Sequence, residues 1–112
     1  MTYTLDSYQA ATQDTAIYPG KGTVIGLAYT ALGLGEAGEV QGKIKKILRD
    51  DNSELSPEKA EAIADELGDL LWYVAACARE IGYDLNQIAR RNISKLASRK
   101  ERGTLGGSGD NR

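Results

Sequence analysis

Two short acidic motifs constrain this chain more than anything else in it: Gly-Glu-Ala-Gly-Glu at 35–39 and Asp-Glu-Leu-Gly-Asp at 65–69. Each sets two carboxylates three residues apart, Glu36 with Glu39 and Glu66 with Asp69. On a helix, residues i and i+3 share a face. Two such helices packed face to face would aim four carboxylates at one point. Charges of one sign gather in a low-dielectric place only when cations offset them. A hard, oxygen-seeking ion such as Mg²⁺ is the natural partner, and it usually arrives with phosphates. The plain alternative is a pair of solvated acidic faces, because a lone Glu-x-x-Glu pair is common on helices.

The rest of the composition narrows the chemistry. There is no histidine, so zinc sites built on histidine, Ser-His or Cys-His catalysis and the Glu-x-x-His of di-iron bundles are excluded. A metal site here must be made of oxygen ligands. The single cysteine, Cys77, forms no internal disulfide, which suits a reducing cytoplasm. A net charge of −2 offers no general attraction to nucleic acid or anionic membrane. No apolar run approaches the roughly 20 residues needed to span a bilayer, and Met1-Thr-Tyr-Thr-Leu-Asp lacks the regions of a signal peptide. The expectation is a cytoplasmic protein, in a host cytoplasm if phage-encoded, that binds neither nucleic acid nor membrane. Its 112 residues fit one domain, 1–112.

Apolar periodicity predicts an all-α fold of four segments. The first covers 5–16 and ends before the turn Tyr18-Pro19-Gly20-Lys21-Gly22. The second covers 23–49 as one helix and is followed by a loop at 50–55. The third starts with Ser56 as N-cap and Pro57 at the first helical position, and runs to Ile81 with Gly82 just beyond. Asp84 caps the fourth, 85–102. The tail, 103–112, is glycine-rich and reads as a flexible end.

In the third helix Leu67, Leu70, Leu71, Val74, Ala78 and Ile81 form an apolar face edged by Glu66, Asp69 and Tyr73. Trp72 points away from that face, which suggests a second packed surface such as a partner subunit or a ligand pocket. In the second helix Ile25, Tyr29, Leu32, Val40 and Ile47 form a stripe, with Glu36 and Glu39 inside or beside it. Carboxylates there are misplaced unless functional. Gly33, Gly35, Gly38 and Gly42 each weaken that helix by roughly 1 kcal/mol relative to Ala, which makes sense where a helix or ligand comes close. An apolar stripe on every helix of so small a chain points to a homo-oligomer.

Lys43, Lys45 and Lys46 read either as solvating charges near a helix C-terminus or, for Lys43 and Lys46, as holders of phosphate oxygens. Asn92, Lys95 and Arg99 share one face of the fourth helix, as an exposed polar stripe or as phosphate donors. Cys77 reads as a small core residue. Trp72 and Tyr73 read as packing residues or base-stacking ones. The tail glycines could form an anion-binding nest beside Arg112.

Taken together, these motifs resemble the MazG-like, all-α nucleoside triphosphate pyrophosphohydrolases, in their short phage and bacterial form. That family's signature is Glu-Glu-x-x-Glu, a spacer, then Glu-x-x-Asp. Residues 35–39 match the first part and 66–69 the second, within Asp-Glu-Leu-Gly-Asp-Leu-Leu-Trp-Tyr at 65–73. The resemblance continues through Lys45-Lys46-Ile47-Leu48-Arg49-Asp50, Asn92-Ile93-Ser94-Lys95-Leu96, Arg99 and Gly107-Ser108-Gly109-Asp110-Asn111-Arg112. Position 35 departs from it, with Gly where the general signature has its first Glu, and this leaves the number of ions open.

The resemblance implies a four-helix-type protomer assembling into a homo-oligomeric helical bundle, a dimer or a tetramer built as a dimer of dimers. It implies hydrolysis of a (deoxy)nucleoside triphosphate to monophosphate and pyrophosphate with Mg²⁺ or Mn²⁺; neither the residues nor the resemblance reads out the base, for which a purine such as dGTP is the expectation. Glu36, Glu39, Glu66 and Asp69 would hold the metal, with Glu36 or Glu39 as catalytic base. Lys43, Lys46, Lys95 and Arg99 would offset phosphate charge, Asn92 would position a phosphate or sugar oxygen, Trp72 and Tyr73 would stack on the base, and Arg112 would bind substrate. The alternatives are a non-catalytic helical oligomerisation module and a phosphohydrolase cutting at another position.

Overall fold

The computed structural model describes residues 1–50, 52 and 54–112. Asp51 and Ser53 of the expected loop lie outside the described residues. The protein is all-α, with five α-helices, two 3₁₀ turns and no strand among the described residues.

Helix α1 (Leu5–Ala11) opens on a reciprocal cap between Thr4 and Ser7. It passes at Thr12 into a 3₁₀ turn that ends at Thr15, short of the expected regular helix to residue 16. The hydroxyl of Thr12 donates to the carbonyl of Gln9 at 2.6 Å and that of Thr15 to the carbonyl of Thr12 at 3.3 Å. Such side-chain competition for carbonyls disfavours a regular α-helix.

The expected single helix over 23–49 is two helices. Helix α2 (Val24–Gly33), capped by Thr23, gives way to a 3₁₀ turn over Leu34–Glu36, and α3 (Ala37–Asp50) follows. Gly33 and Gly35 weaken the helix there, and the ring of Tyr73 occupies the place of a side chain at residue 33. A Cβ on Gly33 would lie 2.0 Å from Cδ1 of Tyr73. The break ends the shared phase of the expected stripe. Ile47 is buried and Val40 half-buried, but Ile25, Tyr29 and Leu32 are exposed, and α2 turns Gly26 and Thr30 inward instead.

Helix α4 (Pro57–Glu80) is the central element, with Ser56 as cap and Pro57 first in the helix. It touches α1, α2, α3, α5 and both 3₁₀ turns. Gly82 leaves the helix at φ +82°, a conformation that favours glycine. Helix α5 (Leu85–Glu101) begins on a reciprocal cap between Asp84 and Gln87.

The core is small: Ala75, Ala78 and Leu85, with Tyr8, Val74 and Ile88 against them. Buried Gln9 ties it together. Its amide donates to the carbonyls of Ala75 and Tyr83, both at 3.1 Å, and its oxygen accepts the Leu85 N–H at 3.0 Å. Of the apolar face expected on α4, Ala78 is buried and Leu70 and Val74 are half-buried, while Leu67, Leu71 and Ile81 stand exposed. Trp72 finds a second packed surface within the chain. The segment after α1 folds over it, and its indole N–H donates to Thr15 Oγ1 at 2.8 Å.

Helix α5 projects. Its first turns pack on α1 and α4, and it makes no contact with α2 or α3 among the described residues. The Cα radius of gyration is 16.9 Å, against roughly 13 Å for a compact domain of 100 residues. The tail has no regular structure but is tied down by its own chemistry. Arg112 donates to the carbonyls of Thr104, Leu105 and Gly109, and Arg102 donates to the carbonyl of Arg112 at 3.0 Å.

Candidate active site

The break between α2 and α3 turns Glu36 toward α4, where Glu66 and Asp69 lie three residues apart on a regular helix. One carboxylate oxygen from each of the three lies within 4.8 Å of the others. Oxygens around one Mg²⁺ lie about 3 to 4 Å apart, given bonds of about 2.1 Å. Small side-chain rotations therefore suffice for these three to share a cation. Lys43, on α3, already brings a positive group to the set, with Nζ 3.7 Å from Glu66 Oε1. Three carboxylates supplying only oxygen suit a hard divalent ion. Glu39, in the first turn of α3, is exposed and stands outside the triad.

Glu36 and Asp69 also form one wall of a cleft of about 500 Å³. Thr15, Ile17, Tyr18, Tyr29, Thr30, Trp72 and Tyr73 line the rest. The aromatic rings brace one another edge to face. Trp72 and Tyr73 have centroids 5.2 Å apart, and Tyr18 and Trp72 6.3 Å apart. The Tyr18 hydroxyl donates to Glu80 Oε1 at 2.7 Å. Burial pushes the Tyr18 phenol above its ordinary pKa, and the bond to Glu80 adds to the rise. A cleft of this size, lined mostly by aromatic and apolar groups with two carboxylates among them, matches the usual form of a small-molecule site.

The remaining residues expected at the site fall into two groups. Lys43 and Lys46 stand on α3 and line a hollow of about 160 Å³ with Ile47, Lys59 and Ala62. The other group is on the projecting arm. Asn92 and Lys95 line a groove on α5 with Tyr83 and Arg91. Arg99 is buried by the tail and donates to the backbone carbonyl of Asp110 at 3.0 Å, with the Asp110 carboxylate 3.5 Å from both Lys95 and Arg99. Lys95 first, and Arg99 with it, hold the Asp110 carboxyl below its ordinary pKa. The guanidinium of Arg112 is engaged by tail carbonyls. From Ile88 to Arg99 the helix climbs about 16 Å, at about 1.5 Å per residue. Asn92 thus stands about one turn beyond the contact that holds α5 to its own body, and Lys95 and Arg99 about two and three turns beyond it.

Sequence reasoning missed the cleft residues Thr15, Ile17, Tyr18, Tyr29 and Thr30. Tyr18 reads only as part of a Pro-Gly turn. Its partner Glu80 is 62 residues away, and no local pattern links the two. An aromatic directly before a turn, with two more on α4, is the faint signal available.

Fold and site define an all-α protein that opens a carboxylate cluster onto an aromatic cleft. The family model of the MazG nucleotide pyrophosphohydrolase domain matches residues 26–104, and the chain belongs to that family. It is similar to "Gene 37 protein" of Mycobacterium phage L5, 49% identical over 112 residues that cover 96% of this chain and 98% of that relative. No solved structure matches. Thr15, Ile17 and Tyr18 precede the stretch that the family model covers.

Proposed function

We propose that the protein hydrolyses a (deoxy)nucleoside triphosphate to the monophosphate and pyrophosphate, by attack of water at the α-phosphorus. The observation that carries this reading is the juxtaposition of the Glu36–Glu66–Asp69 triad with the 500 Å³ aromatic cleft. It supplies a place for charged phosphates beside a place for a flat base.

Glu36, Glu66 and Asp69 would hold Mg²⁺ or Mn²⁺, with Glu39 as a further ligand from the next turn. When bound, such an ion offsets phosphate charge and acidifies water. Glu36 or Glu39 takes the proton of the attacking water. Lys43 and Lys46 lie on the α3 side, where they neutralise charge that develops on the leaving pyrophosphate. Trp72 and Tyr73 present ring surface to the base, with a purine such as dGTP as the substrate favoured.

The protein works as a homo-oligomer, a dimer or a dimer of dimers. Val24 is 80% exposed, Leu32 78% and Leu67 49%, with Ile25, Leu71, Ile93 and Leu96 also uncovered. A single copy thus leaves large apolar side chains in water on α2, α4 and α5, more than monomers usually show. In this reading the arm residues Asn92 and Lys95 reach phosphate by lying against the triad of another copy, and Arg99 and Arg112 join them when the tail that holds them gives way. No described helix is long and apolar enough to cross a membrane. We assign the protein to the cytoplasm, the host's if it is phage-encoded, with nucleotide-pool control as its role.

The test is product analysis on a panel of (d)NTPs with Mg²⁺ or Mn²⁺, using wild type and Glu66→Gln. Monophosphate plus pyrophosphate, lost in the variant, is the expected result. Orthophosphate release would move the cut to another phosphorus. No turnover with either metal would leave a helical oligomerisation module.

A further inference from the structure

One carboxylate touches the cleft only through another residue, since it holds Tyr18 without lining the cleft itself. Glu80, the last residue of α4, lines the hollow on the far side of Tyr18 together with Lys21 and Arg79. Its Oε1 accepts the Tyr18 hydroxyl at 2.7 Å, and its two oxygens accept the N–H of Gly22 at 3.2 and 2.9 Å. The loop between α1 and α2 is packed tightly around this point. The Gly26 N–H donates to the carbonyl of Gly20 at 3.0 Å, and a Cβ on Gly26 would sit 2.5 Å from that oxygen and 2.9 Å from Glu80 Oε1. Glu80 therefore pins residues 18–22 of this loop through both a side chain and the backbone.

Tyr18 belongs to both sides of this arrangement. Its hydroxyl is held by Glu80, while its ring lines the cleft and meets Trp72 edge-on. Trp72 is in turn fixed by its bond to Thr15. With its proton engaged by Glu80, Tyr18 offers the cleft a ring rather than a donor. The position of that ring sets the width of the slot in which a base would stack. We propose that Glu80 is a positioning residue that determines, through Tyr18, which nucleobase the cleft admits. This rests on the nucleotide reading given above. It places base selection partly in a segment that precedes the family-matched stretch, and apart from the carboxylate triad.

The test uses the intact protein in four forms: wild type, Tyr18→Phe, Glu80→Ala and Glu80→Gln, with the double variant of Tyr18→Phe and Glu80→Ala. Two quantities are read. One is kcat and KM for each (d)NTP, from pyrophosphate release. The other is quenching of Trp72, the chain's single tryptophan, by each deoxynucleoside monophosphate.

The expected result is a change in the purine-to-pyrimidine ratio of about 3- to 10-fold in Tyr18→Phe and in Glu80→Ala, carried by KM. The double variant should change it no further, as for two residues acting through one contact. Glu80→Gln should recover part of the ratio, because its amide oxygen can accept both the Tyr18 hydroxyl and the Gly22 N–H. Glu80→Ala could unfold the loop altogether. Tyr18→Phe, which keeps the ring, then decides alone.

A uniform loss of kcat/KM across all bases, with the ranking unchanged, would mean that Glu80 only holds the fold, and would overturn the proposal. Additive effects of the two substitutions would also overturn it. Absence of turnover in wild type is a failure of the hydrolase reading, and the Trp72 titrations still decide this one. A shifted ranking of monophosphates in both variants upholds it. An unchanged ranking, or no quenching by any nucleotide, overturns it.

Discussion

The cleft end of the molecule and the α5 arm are built on opposite plans. At the cleft, backbones come close because residues are small, and aromatic rings fill the space that glycine leaves: Tyr73 lies where a side chain at Gly33 would be. Its three clustered carboxylates are gathered from two elements, with Lys43 beside them. The arm packs on its own body through Leu85 and Ile88 in its first turns, and its outer half is basic. There the order comes from polar bonds between α5 and a tail rich in glycine. The cleft end is thus held by shape and the arm by charge and hydrogen bonds. This difference implies that the two ends respond differently to substitution; in the oligomer proposed above they meet between copies.

The sharpest way to break the comparison is at the charges. Glu66→Gln and Asp69→Asn should each lower turnover by more than the roughly 10–100-fold that changes to outer-sphere groups cost at metal sites. They should also abolish any rise in Tm on adding Mg²⁺ or Mn²⁺. Lys95→Gln should be inactive too, for the opposite reason. If arm and triad meet between copies, mixing subunits of Lys95→Gln with subunits of Glu66→Gln recovers activity that neither has alone. Failure to complement, with both variants folded and exchanging subunits, would put both halves of the site in one chain.

Next in size is a pair of glycines. Gly33→Ala drives a methyl into the Tyr73 ring and should cost about 1–3 kcal/mol, read as a fall in denaturant midpoint. Gly38, on α3, has open space around its Cβ position. Gly38→Ala should stabilise by about 0.4–1 kcal/mol. Equal effects at the two positions would deny that the cleft end is held by close approach. A smaller, purely local effect is expected at the α5 cap, where Asp84→Ala should cost about 1 kcal/mol by the same measurement.

The smallest effects belong to the tail. Arg112→Ala should speed amide exchange over 103–112 while leaving global stability within about 0.5 kcal/mol. Acid should act similarly. Lys95 and Arg99 favour the charged form of Asp110 in the folded state, so its pKa is lowered. The stabilisation it lends the tail is therefore complete above the ordinary carboxylate range and is lost as pH falls through the lowered value. Tail exchange compared at low pH between wild type and Asp110→Asn reads this directly: the two should converge. Persistent protection in acid would mean that backbone bonds alone hold the tail.

Much of this was legible in the chain. Capping residues are local, so Ser56-Pro57, Gly82 and Asp84 marked their boundaries without tertiary information. The pairing of Glu66 with Asp69 survived because α4 is regular through both. The pairing of Glu36 with Glu39 did not carry over as a unit, because a 3₁₀ turn ends at Glu36 and α3 starts afresh. Trp72 was placed on the correct side of its helix, away from Ala78, but what covers it comes from residues more than fifty positions earlier.

By itself the sequence determined the all-α class, most helix ends, the oxygen-only character of any metal site and the two acidic motifs that mark the family. These follow from propensity, capping and residue chemistry, which act over a turn or two of helix. Only the tertiary structure decided that Glu36 comes within reach of Glu66 and Asp69, that an aromatic cleft opens beside them, and that Glu80 holds the tyrosine at its wall. Those depend on where one helix breaks against another's ring and on contacts across most of the chain, and spacing along a sequence carries no record of either.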